Sequence, residues 1–273
     1  MSAAESLRAG DLEGALRQLQ DDVRRDPGKA DHRTFLFQLL SVMGQWERAV
    51  KQLQIVAELN PEAMAMAQTY REAIRSELLR AQVFAGQRAP MLMGEPPGWV
   101  ALLVEALRVA GEGEAAHAQA LRAEALEAAA PTSGTLGEEP FEWIADADSR
   151  LGPVFEAIVN GRYYWIPYSS IARIKVEQAT DLRDLVWLPA WITLENGGEL
   201  ASLVPTRYPG SEAIDDGLIR MARKTEWLQA GDEYRGLGQR LLVTDKGERP
   251  LMDVRDIALH SAAGAREQAS PDA

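Results

Sequence analysis

Residues 181–212 read DLRDLVWLPAWITLENGGELASLVPTRYPGSE, and the class of the fold turns on them. The polar segment 181–184 predicts a single turn of helix. The apolar run 185–194, which carries Trp187 and Trp191, predicts a strand. Asn196-Gly197-Gly198 reverses the chain. Asn-Gly supplies the two positive φ angles of a tight hairpin, which would set the register of the return strand 199–204. Pro205 and Pro209 then hold the following loop extended and keep it out of any central ladder. Such a loop, carrying Arg207 and Tyr208, is either a structural corner or a recognition surface.

The rest of the C-terminal half has the same character. Beyond Pro131 lie five of the seven tryptophans, five of the six tyrosines and two of the five phenylalanines. Residues 132–137, TSGTLG, read as a linker by composition. Strand signals follow at 141–144, 163–167, 171–177, 241–244 and 251–254. Asp245-Lys246-Gly247-Glu248 makes a second hairpin turn, with Gly247 suited to the left-handed position. Short helices are predicted at 154–159, 213–223 and 255–260. Strands with few helical crossovers point to an antiparallel sheet or a small barrel. The small, polar residues from 262 onward predict a disordered tail.

The N-terminal half repeats at an offset of 34 residues. Gly10 aligns with Gly44, Leu12 with Trp46, Ala15 with Ala49, Leu19 with Leu53 and Pro27 with Pro61. Turn glycine, close-packing alanine and terminating proline are the marks of a tetratricopeptide-like helix pair. A third copy near 64–97 is degenerate, and a last pair falls at 99–109 and 115–129. The reading is an α-solenoid of three to four helix pairs over residues 1–131. Its apolar positions, Leu36, Leu39, Leu40, Val50 and Leu53 among them, are inter-helix core, and its concave face suits a peptide or helix. The fold class is therefore α+β, with a tetratricopeptide-like all-α superhelix over 1–131. A linker at 132–137 leads to a mainly antiparallel α+β domain over 138–261 and a tail over 262–273.

Composition narrows the function. The formal net charge is −12. It divides into −4 before Pro131 (14 basic, 18 acidic) and −8 after it (15 basic, 23 acidic). Both halves repel phosphate backbones and anionic lipid, so neither nucleic acid nor a membrane is expected as a partner. No cysteine is present, which removes disulfides, thiolate metal sites and a cysteine nucleophile. The first residues lack the basic start and apolar core of a signal peptide, and no apolar run nears the roughly 20 residues that span a bilayer. A cytoplasmic location is expected.

Candidate chemistry is sparse. Asp146 and Asp148 flank Ala147 and could share one side of an extended segment. Paired carboxylates bind hard cations or do acid–base work, but more often cap a turn or pair with an arginine such as Arg150 or Arg162. Asp181, Arg183 and Asp184 could form a buried ion network beneath the hairpin. Arg207 could anchor recognition with Tyr208, or staple the domain by pairing with Asp181 or Asp184. His32, His117 and His260 are far apart and imply no zinc site. Gly236-Leu237-Gly238 lacks the remainder of a phosphate loop, and Ser211 has no nucleophile-elbow context. The cluster Trp143, Trp165, Trp187, Trp191 and Trp227 is read mostly as core.

Several blocks carry a resemblance to a known family. DADSRLGP at 146–153 and NGRYYW at 160–165 lead into LRDLVWLPA at 182–190 and PTRYPGSE at 205–212. ARKTEW at 222–227, GLGQR at 236–240 and GQWERAVKQL at 44–53 complete the set. Together they resemble the ImpE family, also called SciE-type or TagJ proteins, of type VI secretion gene clusters. The resemblance implies a cytoplasmic accessory protein, from a family that has no established catalytic residues to carry over; no metal or cofactor is expected. Its implied partners are the N-terminal helix of the contractile sheath's small subunit and the AAA+ ATPase that recycles contracted sheath. Arg207, Tyr208, Asp181, Arg183, Asp184, Asp146 and Asp148 are then candidates for partner binding or for a structural signature. The alternative is a hydrolytic or cation-dependent enzyme with Asp146, Asp148 and Arg207 around one cleft. A general co-chaperone-like scaffold would need a basic clamp that the acidic N-terminal half does not offer.

Overall fold

The computed structural model describes residues 2–230 and 233–260, apart from the side chain of Ala230. Helices α1 (Ala3–Arg8), α2 (Leu12–Arg25), α3 (Ala30–Val42), α4 (Trp46–Leu59) and α5 (Met64–Phe84) come first. Strand β1 (Met91–Leu92), α6 (Gly98–Gly111) and α7 (Ala115–Ala128) complete the N-terminal half. Four helices stop in the same way. After α1, α3, α5 and α6 the chain turns through Gly10, Gly44, Gly86 and Gly113, all at positive φ. In each turn the N–H of the residue after the glycine bonds a carbonyl five positions back, as Gln45 does to Leu40 at 2.8 Å. Only glycine enters that left-handed position without strain. The 34-residue spacing holds from Gly10 to Gly44 and then fails, because α5 has 21 residues where α3 has 13. The degenerate third copy is thus one long helix and an extended segment, not a helix pair.

The C-terminal half holds β2 (Gly134–Leu136), β3 (Glu139–Phe141), β4 (Ile144–Asp146), β5 (Val154–Val159), β6 (Arg162–Pro167), β7 (Ile171–Val176), β8 (Trp187–Leu194) and β9 (Glu199–Pro205). The short helix α8 (Gly217–Arg220) precedes β10 (Thr225–Ala230), β11 (Glu233–Gly238), β12 (Leu241–Thr244), β13 (Gly247–Pro250) and β14 (Asp256–Leu259). Nine strands form one sheet in the order β1-β6-β5-β9-β8-β7-β14-β2-β3. It is antiparallel except that β1 runs parallel to β6. The strands β13-β12-β4 and β10-β11 make two smaller sheets. The architecture is α+β, a helical half followed by a mostly antiparallel half.

Both faces of the large sheet are covered. On β5, Val154 and Ile158 point into a core shared with Leu39, Leu40, Leu53 and Ile74 of the helices. Phe155, Ala157 and Val159 point the other way, into a second core with Leu242, Leu251 and Ile257. All six residues of β5 are therefore buried. That explains why VFEAIV, predicted as a helix, is a strand: a strand covered on both faces loses its polar–apolar alternation. Residues 255–260, also predicted helical, form β14. The predicted helix 213–223 shrinks to Ser211–Ala213 and α8, and the predicted strand 251–254 is a 3₁₀ turn, Leu251–Asp253, after β13.

The turns also differ from expectation. Between β8 and β9 only Gly197 has positive φ, and Gly198 N–H bonds the Asn196 side chain at 3.0 Å. The Asn-Gly pair with two positive φ angles is Asn160-Gly161, which joins β5 to β6. Within the linker stretch 132–137, Gly134–Leu136 is strand β2, paired with β14 on one side and β3 on the other. Residues 261–273, including the predicted tail, lie outside the described residues.

Two glycines separate conformational strain from steric clash. Gly197 and Gly238 share a φ of +82°, but a Cβ on Gly197 meets nothing within 4 Å. One on Gly238 would sit 1.9 Å from the Lys224 carbonyl oxygen. Gly197→Ala should cost about 1 kcal/mol and Gly238→Ala about 3 kcal/mol or more, read from urea denaturation midpoints.

Candidate functional site

The most elaborate polar cluster lies where the helices meet the sheet. Glu156, in the middle of β5, faces the helical side between Val154 and Ile158 and is fully buried. Arg80 of α5 reaches it with two parallel hydrogen bonds, Nε to Oε1 at 2.7 Å and Nη2 to Oε2 at 2.8 Å. Arg240, just after β11, approaches Glu156 Oε2 to 3.2 Å with Nη1. It also donates from Nε to Asp146 Oδ2 at 2.9 Å. Its Nη2 lies 2.8 Å from the same oxygen, near enough for charge attraction but off the hydrogen-bonding direction. Tyr163 donates to Glu156, and Trp165 Nε1 donates to Tyr163 Oη at 2.6 Å. Two cations and two carboxylates thus neutralise one another out of contact with water, as buried charges must.

The two carboxylates titrate in opposite directions. Burial pushes Glu156 up, but Arg80 and Arg240 outweigh it and hold the group at about 2. Asp146 is pushed up to about 6 by burial, which Arg240 only partly offsets, with Asp148 nearby adding to the rise. Asp148 is separately satisfied. It accepts from Arg150 Nε at 2.9 Å and Nη2 at 2.5 Å, and from the Gly236 N–H at 3.0 Å. Asp146 and Asp148 do lie close together, each with its own arginine.

Arg207 is only 4 % exposed and pairs with neither Asp181 nor Asp184. Its Nη1 donates to the carbonyls of Val42 at 2.7 Å and Arg220 at 2.5 Å. Those residues end α3 and α8, where carbonyls lack helical partners and the helix dipole is negative. One guanidinium therefore caps two helices, and its own carbonyl accepts from Arg80 at 2.9 Å. The Tyr208 hydroxyl accepts from the Leu241 N–H at 3.0 Å, and the ring packs on Trp227 with centroids 5.6 Å apart. Gly236 makes room for that ring, since a Cβ there would lie 2.3 Å from it.

Asp181 and Asp184 form a reciprocal cap on the turn Leu182–Leu185, while Arg183 lies over the Tyr70 ring at 4.7 Å. They make a cap with a part-exposed Asp181–Arg183 ion pair, not a buried network. Of the tryptophans read as core, Trp165 and Trp187 are fully buried and Trp227 partly so. Trp143 and Trp191 are 38 % and 51 % exposed.

Two apolar hollows face solvent. One, of about 700 Å³, lies between α4 and α5 and is lined by Trp46, Val50, Ile74 and Leu78, with Glu47, Arg48 and Lys51 its charged members. The other, of about 390 Å³, lies between the end of α7 and β4, against Leu126, Pro131, Trp143 and Pro153. Among the described residues no three histidine or acidic groups converge to hold a metal. Arg80 and Glu156 stand in no motif quoted above and Arg240 only ends the block GLGQR, although a lone acid inside VFEAIV is a usable signal.

The same chain is 52 % identical over 257 residues to the type VI secretion system accessory component TagJ of Pseudomonas aeruginosa. The alignment covers 94 % of this chain and 90 % of that protein. Residues 138–258 match the family described as ImpE protein. The chain belongs to the ImpE family. A crystal structure of protein VPA1032 from Vibrio parahaemolyticus shares the fold of this ImpE chain, with a TM-score of 0.87 at 24 % identity. That likeness covers 96 % of this chain and 99 % of the other. Arg80 lies outside the matched ImpE segment, while its partners Glu156 and Arg240 lie within it.

Glu156→Gln leaves Arg80 and Arg240 under-compensated and should destabilise this ImpE protein by about 3–5 kcal/mol in chemical denaturation. Asp146 gives a pH signature. Its folded value of about 6 exceeds the usual 3.8, so its stabilising contribution is complete below 3.8 and is lost as pH rises through 6. Glu156 behaves oppositely, its contribution present above 4.5 and lost as pH falls through about 2. Between pH 4.5 and 6.5 the wild type should therefore lose about 2 kcal/mol relative to Asp146→Asn, measured as unfolding free energies at both pH values.

Proposed function

We propose that this chain is a non-enzymatic, cytoplasmic accessory component of the type VI secretion system. It holds a helical segment of the contractile sheath's small subunit and assists sheath assembly or ATPase-driven recycling. The family and the likeness to TagJ support the secretion role. The observation that carries the binding reading is the open groove between α4 and α5. Its floor is packed against the core, with Ile74 buried and the Trp46 ring resting on Trp187 with centroids 5.9 Å apart. Leu78, in contrast, is 48 % exposed beside that floor, an apolar wall with solvent where a partner's side chains would sit. A groove of this kind takes the apolar stripe of an amphipathic helix through anchors at i, i+3 or i+4 and i+7.

The carboxylates an enzyme would need are already committed. Asp146 and Asp148 are buried against Arg240 and Arg150, and Arg207 is held by helix-end carbonyls. No specific observation favours the enzymatic alternative.

The N-terminal helix of the sheath small subunit, made as a peptide, should be retained by the immobilised chain at tens of micromolar. Leu78→Asp should weaken retention at least tenfold with the circular dichroism spectrum unchanged, because it removes one apolar wall at an exposed site. Absence of retention by the wild type contradicts the proposal.

A further inference from the structure

We propose that the groove between α4 and α5 selects a helix whose apolar stripe is flanked by carboxylates. This rests on the reading of the chain as a helix-binding accessory protein and adds the chemistry of the occupant. Acidic residues outnumber basic ones 41 to 29 in the whole sequence, yet the groove reverses that balance. Its lining includes Arg48 and Lys51 against the single acid Glu47. Both cations are exposed. Neither joins an ion pair among the described residues, and Arg48 donates only to the Gln45 side chain.

One carboxylate, Glu47, shares the lining with them, four positions before Lys51 on α4. Glu77 accepts from Trp187 Nε1 at 3.1 Å and lies 3.6 Å from Arg80 Nη1. Glu212 lies over Gly44, and its charge acts on the buried Arg207. Two cations against one carboxylate therefore border an apolar floor. An apolar helix with neutral flanks would leave that excess of positive charge uncompensated, and a lysine-flanked helix would add to it. Glutamate or aspartate one position outside the apolar stripe complements both surfaces at once.

The chain's net charge makes the test discriminating, because the long-range field of a −12 protein attracts the opposite kind of peptide. Two designed amphipathic helices of about 18 residues, long enough to span five turns, would carry one leucine stripe. One stripe would be flanked by glutamate and the other by lysine. Each is titrated with the full chain by fluorescence anisotropy at low and at high salt. The expected result is at least tenfold tighter binding of the glutamate peptide at low salt, with the difference shrinking as salt rises. The double variant Arg48→Glu, Lys51→Glu, confined to exposed side chains, should reverse the order.

Equal binding overturns the inference, as do preference for the lysine peptide, no binding of either peptide, or a preference unchanged in the double variant. Retention of the sheath helix without charge selection removes this inference and leaves the proposed function standing. Charge selection without retention of the sheath helix does the reverse.

Discussion

Glu156 is the point on which the rest of the molecule depends. Its carboxylate sits in the middle of a strand buried on both faces, and it is tolerable there only because Arg80 and Arg240 surround it. Arg80 comes from the longest helix, whereas Glu156 and Arg240 come from the sheet half. A buried ion pair of this kind adds little net stability over apolar packing, yet breaking it is expensive. Its consequence is geometric. Arg80 also bonds the Arg207 carbonyl, and Arg207 caps α3 and α8, so three elements are fixed around one guanidinium chain. The helices are thereby held against the sheet by directional bonds as well as by a shared apolar core.

This arrangement explains why the PTRYP segment is so little exposed. Prolines at both ends hold it extended, which presents the Arg207 side chain to the ends of α3 and α8 and Tyr208 to the strand after β11. A polar loop bracketed by prolines is here an internal fastener. Apolar hollows that face solvent lie instead between α4 and α5 and at the end of α7.

Much of this was legible in the sequence, and the failures have physical causes. The alignment of Gly10 with Gly44 was real, because both glycines end helices through the same left-handed turn. The repeat could not be followed further because the turns are conserved in kind while helix length is not. VFEAIV was misread because burial on both faces erases the period of two, leaving a run that suits a helix equally well. The role of Arg207 was not legible. Its partners are backbone carbonyls of Val42 and Arg220, and no residue identity encodes a carbonyl. Likewise the groove forms between Trp46 and Leu78, 32 positions apart, and only packing brings them together.

The shared apolar core and the bonds from Arg80 make helices and sheet one cooperative body. The most direct measurement is equilibrium urea unfolding of the unmodified chain, followed together by helical circular dichroism and by tryptophan fluorescence. Five of the seven tryptophans lie beyond Pro131, so the second signal reports mainly on the sheet half. A single coincident transition is expected for both signals. A helical transition clearly separated from the fluorescence transition would contradict it, showing two halves that fold independently.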